Sequence, residues 1–345
     1  ANILFPPGYP YTSSTTKILR DNFAELYREC AGMFEMGKSE LVVDIGSNDG
    51  NLLMNFKDHH RVLGVTPEEI GRMAIARGVP TMISFFTPDA AKQIQIEHGP
   101  AKVVTATNVF AHMENINEVM DSILGILSAD GVFISESHYF PSLVKTLQYD
   151  TIYHEHLRYY SLHSLRYLFD RHGLEIIHAK KIPTHGGSIR VYASRKGSHP
   201  VLDSVALVLA EERGLIGNTT LLEKFRQSVV RSKLDLYGLL REVTARGERV
   251  YGIGAPSRAS TLINYVGLDE GILQCVLEIQ GSHKIGKYIP GTLIPVLEES
   301  KLYQDQPEYA MLLSWHIADE LAPKIKEKGF KGKFVVPLPE PRVIG

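Results

Sequence analysis

Leu41-Val-Val-Asp-Ile-Gly-Ser-Asn-Asp-Gly50 is a short apolar run that breaks into a glycine-bearing turn, and Leu52, Leu53 and Phe56 follow at helical spacing. Strand, glycine turn and helix together open a nucleotide-binding βαβ unit, because glycine lets the backbone come close to a ligand. The spacing is Asp-x-Gly-x-x-x-Gly, which is not the Gly-x-Gly-x-x-Gly of dinucleotide folds. A tight packing turn is the competing reading.

Outward from this stretch the pattern keeps to an open α/β sheet. Arg61–Val65 reads as a second strand, with a helix from Glu68 to Arg77. Lys102–Thr105 reads as a further strand, and Asn108 to His112 follow at its carboxyl end, where such sheets place ligands. A helix over 117–127 and a strand over 131–135 come next. Ser161 caps a helix through Leu165, Leu168 and Phe169 that stops at Gly173, and Leu174–Ile177 with Ile189–Ala193 form a closing antiparallel hairpin. Ahead of the sheet, residues 1–16 read as an extended Pro/Gly/Tyr arm, and Thr15 or Thr16 caps a helix towards Cys30. Beyond it, 201–248 is helical and charged, and Arg249–Arg258 starts a second strand-and-glycine-turn unit. The expected division is 1–40 arm and helix, 41–200 first α/β domain, 201–248 helical connector and 249–345 second, smaller Rossmann-like domain.

A chain of 345 residues with 44% apolar and 22% charged residues has the composition of a folded globular protein. Its formal charge of -2 provides no electrostatic footprint for nucleic acid or an anionic membrane. Two cysteines far apart, Cys30 and Cys275, allow neither a disulfide framework nor a cysteine zinc site. No apolar run approaches the ~20 residues of a membrane span, and no signal-peptide layout opens the sequence, so the expected place is the cytoplasm.

The run Gln148-Tyr-Asp-Thr-Ile-Tyr-His-Glu-His-Leu-Arg-Tyr-Tyr-Ser161 carries the candidate chemistry. As a helix it would set Tyr149, Tyr153, His156 and Tyr160 on one face, with Glu155 on the flank. A histidine beside a carboxylate and phenols can move a proton near neutral pH. A polar-aromatic surface helix competes with that reading. His154 and His156 are two apart with no third ligand, so no metal is expected.

The DIGSNDG turn resembles the first motif of class I S-adenosylmethionine methyltransferases. More widely, the arm Tyr9-Pro-Tyr11, Asn108-Val-Phe-Ala-His112, Tyr149–His156, His185-Gly-Gly-Ser-Ile-Arg-Val-Tyr192 and Gly286–Thr292 resemble the S-adenosylmethionine-dependent nucleotide-sugar C-methyltransferases. The resemblance implies a class I methyltransferase Rossmann-like domain followed by the second α/β domain. It implies a donor, S-adenosylmethionine (S-adenosylhomocysteine as product), and a 4-keto-deoxysugar on a nucleoside diphosphate. His156 would remove the C3 proton, Tyr153, Glu155 and His112 would position it or stabilise the enolate, and Tyr9 or Tyr11 would line the pocket. Asp44, Gly46, Ser47, Asn48, Gly50, Thr66, Pro67 and Asn108 would hold the cofactor. His185, Gly187, Ser188, Arg190, Ser257 and Arg258 would meet the substrate; a turn-forming or scaffold role is open for each.

Two departures stand out. The family has an acidic residue at the end of strand two to hold the ribose hydroxyls, where this chain has Thr66, with Glu68 as a possible substitute. The family's cysteine-rich zinc module before the arm is not in this sequence: either it was lost or the sequence begins after it. Competing functions are an O- or N-methyltransferase and a non-catalytic nucleotide-sugar binding protein. A monomer or a homodimer is expected.

Overall fold

The computed structural model describes residues 12–345, so Tyr9 and Tyr11 lie outside the described residues. These residues divide into two compact units. One holds the described residues up to Phe140 together with Leu157–Ile216, and the other holds Pro141–His156 and Gly217–Gly345.

In the first unit α1 (Lys17–Met33) precedes β1 (Leu41–Ile45), β2 (Arg61–Thr66), α2 (Gly71–Ala76), β3 (Thr81–Ile83), α3 (Pro88–His98), β4 (Ala101–Thr107), α4 (Ile116–Ile126) and β5 (Leu127–His138). α5 (Phe140–Lys145) begins here; α6 (Leu162–Arg171), the hairpin β6 (Leu174–Ile182) and β7 (Ser188–Arg195), and α7 (Asp203–Glu212) complete it. The strand order is β3-β2-β1-β4-β5-β7-β6, parallel except for β7, which is antiparallel to both its neighbours. This is the class I methyltransferase arrangement of a Rossmann-like sheet. Side chains alternate across the strands: Val42 joins the core containing Phe23, Leu26 and Phe56, while Leu41, Val43 and Ile45 join the core of the opposite face with Ile94, Ile123 and Phe169. Ser161 caps α6 as expected, its hydroxyl accepting from the Ser164 amide. Thr16 stands at the N-cap of α1 without a side-chain cap bond. Where a helix was expected after the glycine turn there is only a 3-10 turn, Leu53–Asn55.

The second unit contains α8 (Thr219–Ala245), β8 (Val250–Ile253), α9 (Ser257–Val266), β9 (Cys275–Glu278), β10 (Val296–Glu298), α10 (Ser300–Asp305), β11 (Tyr309–Leu312), α11 (Ala318–Glu327), β12 (Lys333–Val336) and β13 (Arg342–Ile344). Its order, β10-β9-β8-β11-β12-β13, has β13 alone antiparallel, and reproduces the 3-2-1-4-5-6 order of a Rossmann sheet. α8 presents Leu236, Leu240 and Val243, at i, i+4 and i+7, to the core of this unit. No described helix is long and apolar enough to cross a membrane.

The unit boundaries differ from those drawn on the sequence in two places. The expected connector 201–248 is split, with α7 in the first unit and α8 in the second, and 141–156, which interrupts the first sheet after β5, is grouped with the second. Leu147 and Tyr149 are buried in the second core, with the Tyr149 ring edge-on to Tyr265 at 5.2 Å.

Candidate active site

In the first unit the expected cofactor residues gather at the carboxyl ends of β1, β2 and β4. The Gly46 and Ser47 amides both donate to the Val65 carbonyl, at 2.8 and 3.1 Å, which folds the turn over the end of β2. Gly46 (φ +78°) has no room for a side chain: a Cβ would lie 2.9 Å from the Cβ of Val109. A Cβ on Gly50 would meet that of Ala74 at 2.8 Å. Asn48 (φ 51°) and Asn108 (φ 57°) take the left-handed conformation that asparagine tolerates better than most residues. Asn48 Oδ1 accepts the Ser13 amide at 3.0 Å, and the Asn108 amide donates to the Glu136 carbonyl at 2.8 Å. Asp49 is buried; burial alone would raise its carboxyl, but hydrogen bonds from Ser13, Ser14 and Arg77 outweigh burial and hold it below the usual range.

Asp44 is also buried, with the Thr105 hydroxyl donating to it at 2.6 Å. Burial, with the charge of Glu136 adding to it, raises its carboxyl to about 7. At the end of β2 the Thr66 hydroxyl donates to Glu68 Oε2 at 2.5 Å, and burial raises Glu68 above its ordinary value. The sequence departure at 66 is therefore accompanied by a carboxylate two residues on, placed at the same strand end. Pro67 lies between them, half-buried. His112 closes a 3-10 turn, Phe110–His112, after β4.

The hairpin turn runs through three positive-φ residues, His185 (54°), Gly186 (84°) and Gly187 (123°), and the His185 carbonyl lies 2.7 Å from His138 Nε2. Ser188 is buried, its hydroxyl donating to Thr184 O. Arg190 is fully buried and engaged by the protein itself: Nε donates to Glu136 at 2.5 Å, Nη1 to Glu29, and Nη2 to Asn22 Oδ1 at 2.7 Å. Burial works against its charge, but Glu136 and Glu29 outweigh it and hold the guanidinium above its ordinary value. Substrate contact and a structural role were both open for Arg190; within the described residues its guanidinium is part of an internal ion network.

In the second unit the Tyr/His run is not the helix that its periodicity suggested. Tyr149–Thr151 is a 3-10 turn, a second turn follows over 153–155, and no single helical face forms. His156 Nδ1 lies 2.9 Å from the Thr151 carbonyl, and its ring centroid is 4.4 Å from that of Tyr153. Glu155 is buried, while His154 is exposed. The reason the run abandons helical geometry is tertiary. Asp150 is drawn to Arg258, whose Nε and Nη2 donate to its two oxygens at 2.7 and 2.8 Å, and to the Trp315 indole N–H at 2.7 Å. Arg258, for which a pyrophosphate contact and a scaffold role were both open, pairs with the Asp150 carboxylate. Ser257 is exposed at the first position of α9. Asp150 and Trp315, 165 residues apart, had no signal in the sequence that joins them. Among the described residues no group of three His, Cys, Asp or Glu is placed to hold a metal.

Residues 18–179 match the methyltransferase domain family, and residues 183–339 match the C-methyltransferase C-terminal domain family. The C-methyltransferase NovU of Streptomyces niveus is 36% identical over 343 residues, covering 97% of this chain and 81% of that protein. Among solved structures, an S-adenosylmethionine-dependent methyltransferase of Anabaena variabilis aligns at 14% identity with a TM-score of 0.42, covering 55% of this chain and 89% of that one. Magnesium protoporphyrin IX methyltransferase of Synechocystis, solved with bound S-adenosylhomocysteine, aligns at 14% identity and 0.40, covering 51% and 83%.

Proposed function

The chain belongs to the C-methyltransferase family, and on that premise we propose that it transfers the methyl group of S-adenosylmethionine to C3 of a nucleotide-linked 4-keto-deoxysugar. The substrate class rests on the combination of the YDTIYHEH run (149–156) with His185-Gly-Gly-Ser-Ile-Arg-Val-Tyr192.

The residues at the carboxyl ends of β1, β2 and β4 fit the methyl donor. Gly46 lets the turn pack against Val109 at the strand ends, the buried Ser47 hydroxyl has no hydrogen-bond partner among the described residues, and Glu68 presents a carboxylate suited to a ribose diol. Ser47 and Asn48 in the turn, Glu68 steadied by Thr66, and Asn108 would hold it. The bound sulfonium supplies a methyl group already activated for transfer, so the protein has to orient the reactants and manage one proton.

The observation that carries the mechanism is the contact of His156 Nδ1 with Thr151 O. A carbonyl only accepts, so Nδ1 bears the proton and Nε2 of the neutral ring holds the basic lone pair. In this reading Nε2 takes the C3 proton: the C–H bond breaks, its electron pair passes into the enolate, and the proton stays on the imidazole. Tyr153, whose ring centroid lies 4.4 Å from that of His156, and Glu155, its neighbour in the chain, steady it or the developing enolate oxygen. His156→Ala is expected to bind S-adenosylhomocysteine as the wild type does in calorimetry yet lose turnover of a nucleotide-linked 4-keto sugar; undiminished turnover sinks the assignment.

A further inference from the structure

We infer that Asp150, clamped by Arg258 and Trp315, is a positioning residue that sets the tautomer and orientation of His156 through the Thr151 carbonyl. This rests on the reading of His156 as the base and deepens it.

The clamp is dense. Two guanidinium N–H groups and the indole N–H converge on the fully buried Asp150 carboxylate within 2.8 Å. The Arg258 guanidinium also lies over the Trp315 ring, 5.0 Å from its centroid, and its Nη1 is 3.0 Å from His316 Nδ1. A planar fork on a carboxylate fixes orientation as well as distance, so the Asp150 side chain has one place to be.

That constraint passes to the next residue. Asp150 is the centre of the Tyr149–Thr151 turn, closed by the Thr151 amide donating to Gln148 O at 3.1 Å and the Ile152 amide to Tyr149 O at 3.0 Å. The Thr151 hydroxyl adds a bond to Gln148 O at 2.8 Å. With the peptides on both sides of Thr151 tied down, its carbonyl has a set direction, and that carbonyl receives His156 Nδ1. His156 sits after a turn and not in a helix, so no backbone ladder orients its ring. The ring is oriented by the hydrogen bonds its own nitrogens make, and the clamp governs the one at Nδ1.

A clamp that merely fastened 141–156 into its unit would affect stability without touching the imidazole. The two roles separate by spectroscopy, since Trp315 is the only tryptophan of the chain and reports the clamp by its emission. The full chain with 15N-labelled histidine would be examined by long-range proton–nitrogen correlation at pH 8, with His156→Gln identifying the His156 signals. The wild type is expected to show the Nδ1–H tautomer. Asp150→Asn should shift the Trp315 emission and lower the Nδ1–H to Nε2–H ratio by roughly tenfold, the worth of one hydrogen bond. Trp315→Phe, which keeps the ion pair, should lower it less, and it decides the matter if Asp150→Asn does not fold. A wild-type ring in the Nε2–H form overturns the inference, as does an unchanged ratio in the folded variant. Turnover retained by His156→Gln would instead remove the base assignment, and the tautomer measurement would still decide the coupling.

Discussion

Arg258 and Asp150, 108 residues apart in sequence, meet fork to fork, with Nε and Nη2 donating to Oδ2 and Oδ1 at 2.7 and 2.8 Å and both side chains buried. Buried ion pairs contribute little net stability beside an apolar pair, but removing one member strands the other charge away from water. Arg258→Met is therefore expected to cost roughly 3–5 kcal/mol in denaturant unfolding. The double variant Arg258→Met with Asp150→Asn should cost less than Arg258→Met alone, because no charge is then left behind. Equal losses in the single and double variants would mean that the pair does not act as a unit.

Glu68 lies two residues beyond position 66, where the resemblance expected a carboxylate, and Thr66 donates it a hydrogen bond of 2.5 Å. If this carboxylate receives the ribose hydroxyls, Glu68→Gln exchanges charge-assisted bonds for neutral ones and should weaken S-adenosylhomocysteine binding by roughly tenfold or more. Thr66→Val, which leaves the carboxylate present but unsteadied, should weaken it by a smaller factor. Calorimetric titration measures both. Wild-type affinity in Glu68→Gln would place the ribose elsewhere.

Asp44 has a pH signature of its own. Burial raises its carboxyl to about 7 in the folded protein, against roughly 3.9 in an unfolded chain. Between those values the folded state keeps a proton that the unfolded state has released, so unfolding loses protons and stability falls as pH rises. Its favourable contribution is complete below about pH 3.9 and gone near pH 7. Asp44→Asn, which can still accept from Thr105, lacks this slope. Relative to wild type it should gain on the order of 2–3 kcal/mol between pH 5 and pH 8, at 1.36 kcal/mol per unit. Parallel stability curves for the two proteins would rule out the raised carboxyl.

The sheet of the first unit was legible because apolar runs bounded by glycine turns recur along the chain, and helices between parallel strands leave the 3.6-residue period of a half-buried face. β3, β10 and β13, each three residues long, are too short to carry any period, and none was foreseen. The run 148–161 failed for a different reason. Its aromatic and histidine spacing does fit a helix, yet Asp150 finds a better partner in Arg258 than a helix surface offers, and Arg158 donates to the carbonyls of Met113 and Glu114. Local spacing yields when buried charge demands satisfaction.

By itself the sequence determined the two α/β units, the glycine turn at 46–50, and the residue types from which a methyltransferase site could be built. The tertiary structure alone decided which partners the buried charges meet inside the fold. Arg190 answers Glu136 across 54 residues, Arg258 answers Asp150 across 108, and Trp315 reaches the same carboxylate across 165. The physical reason is that a buried ionised group must find its counter-charge wherever the fold brings one, and that pairing leaves no periodic trace along the chain.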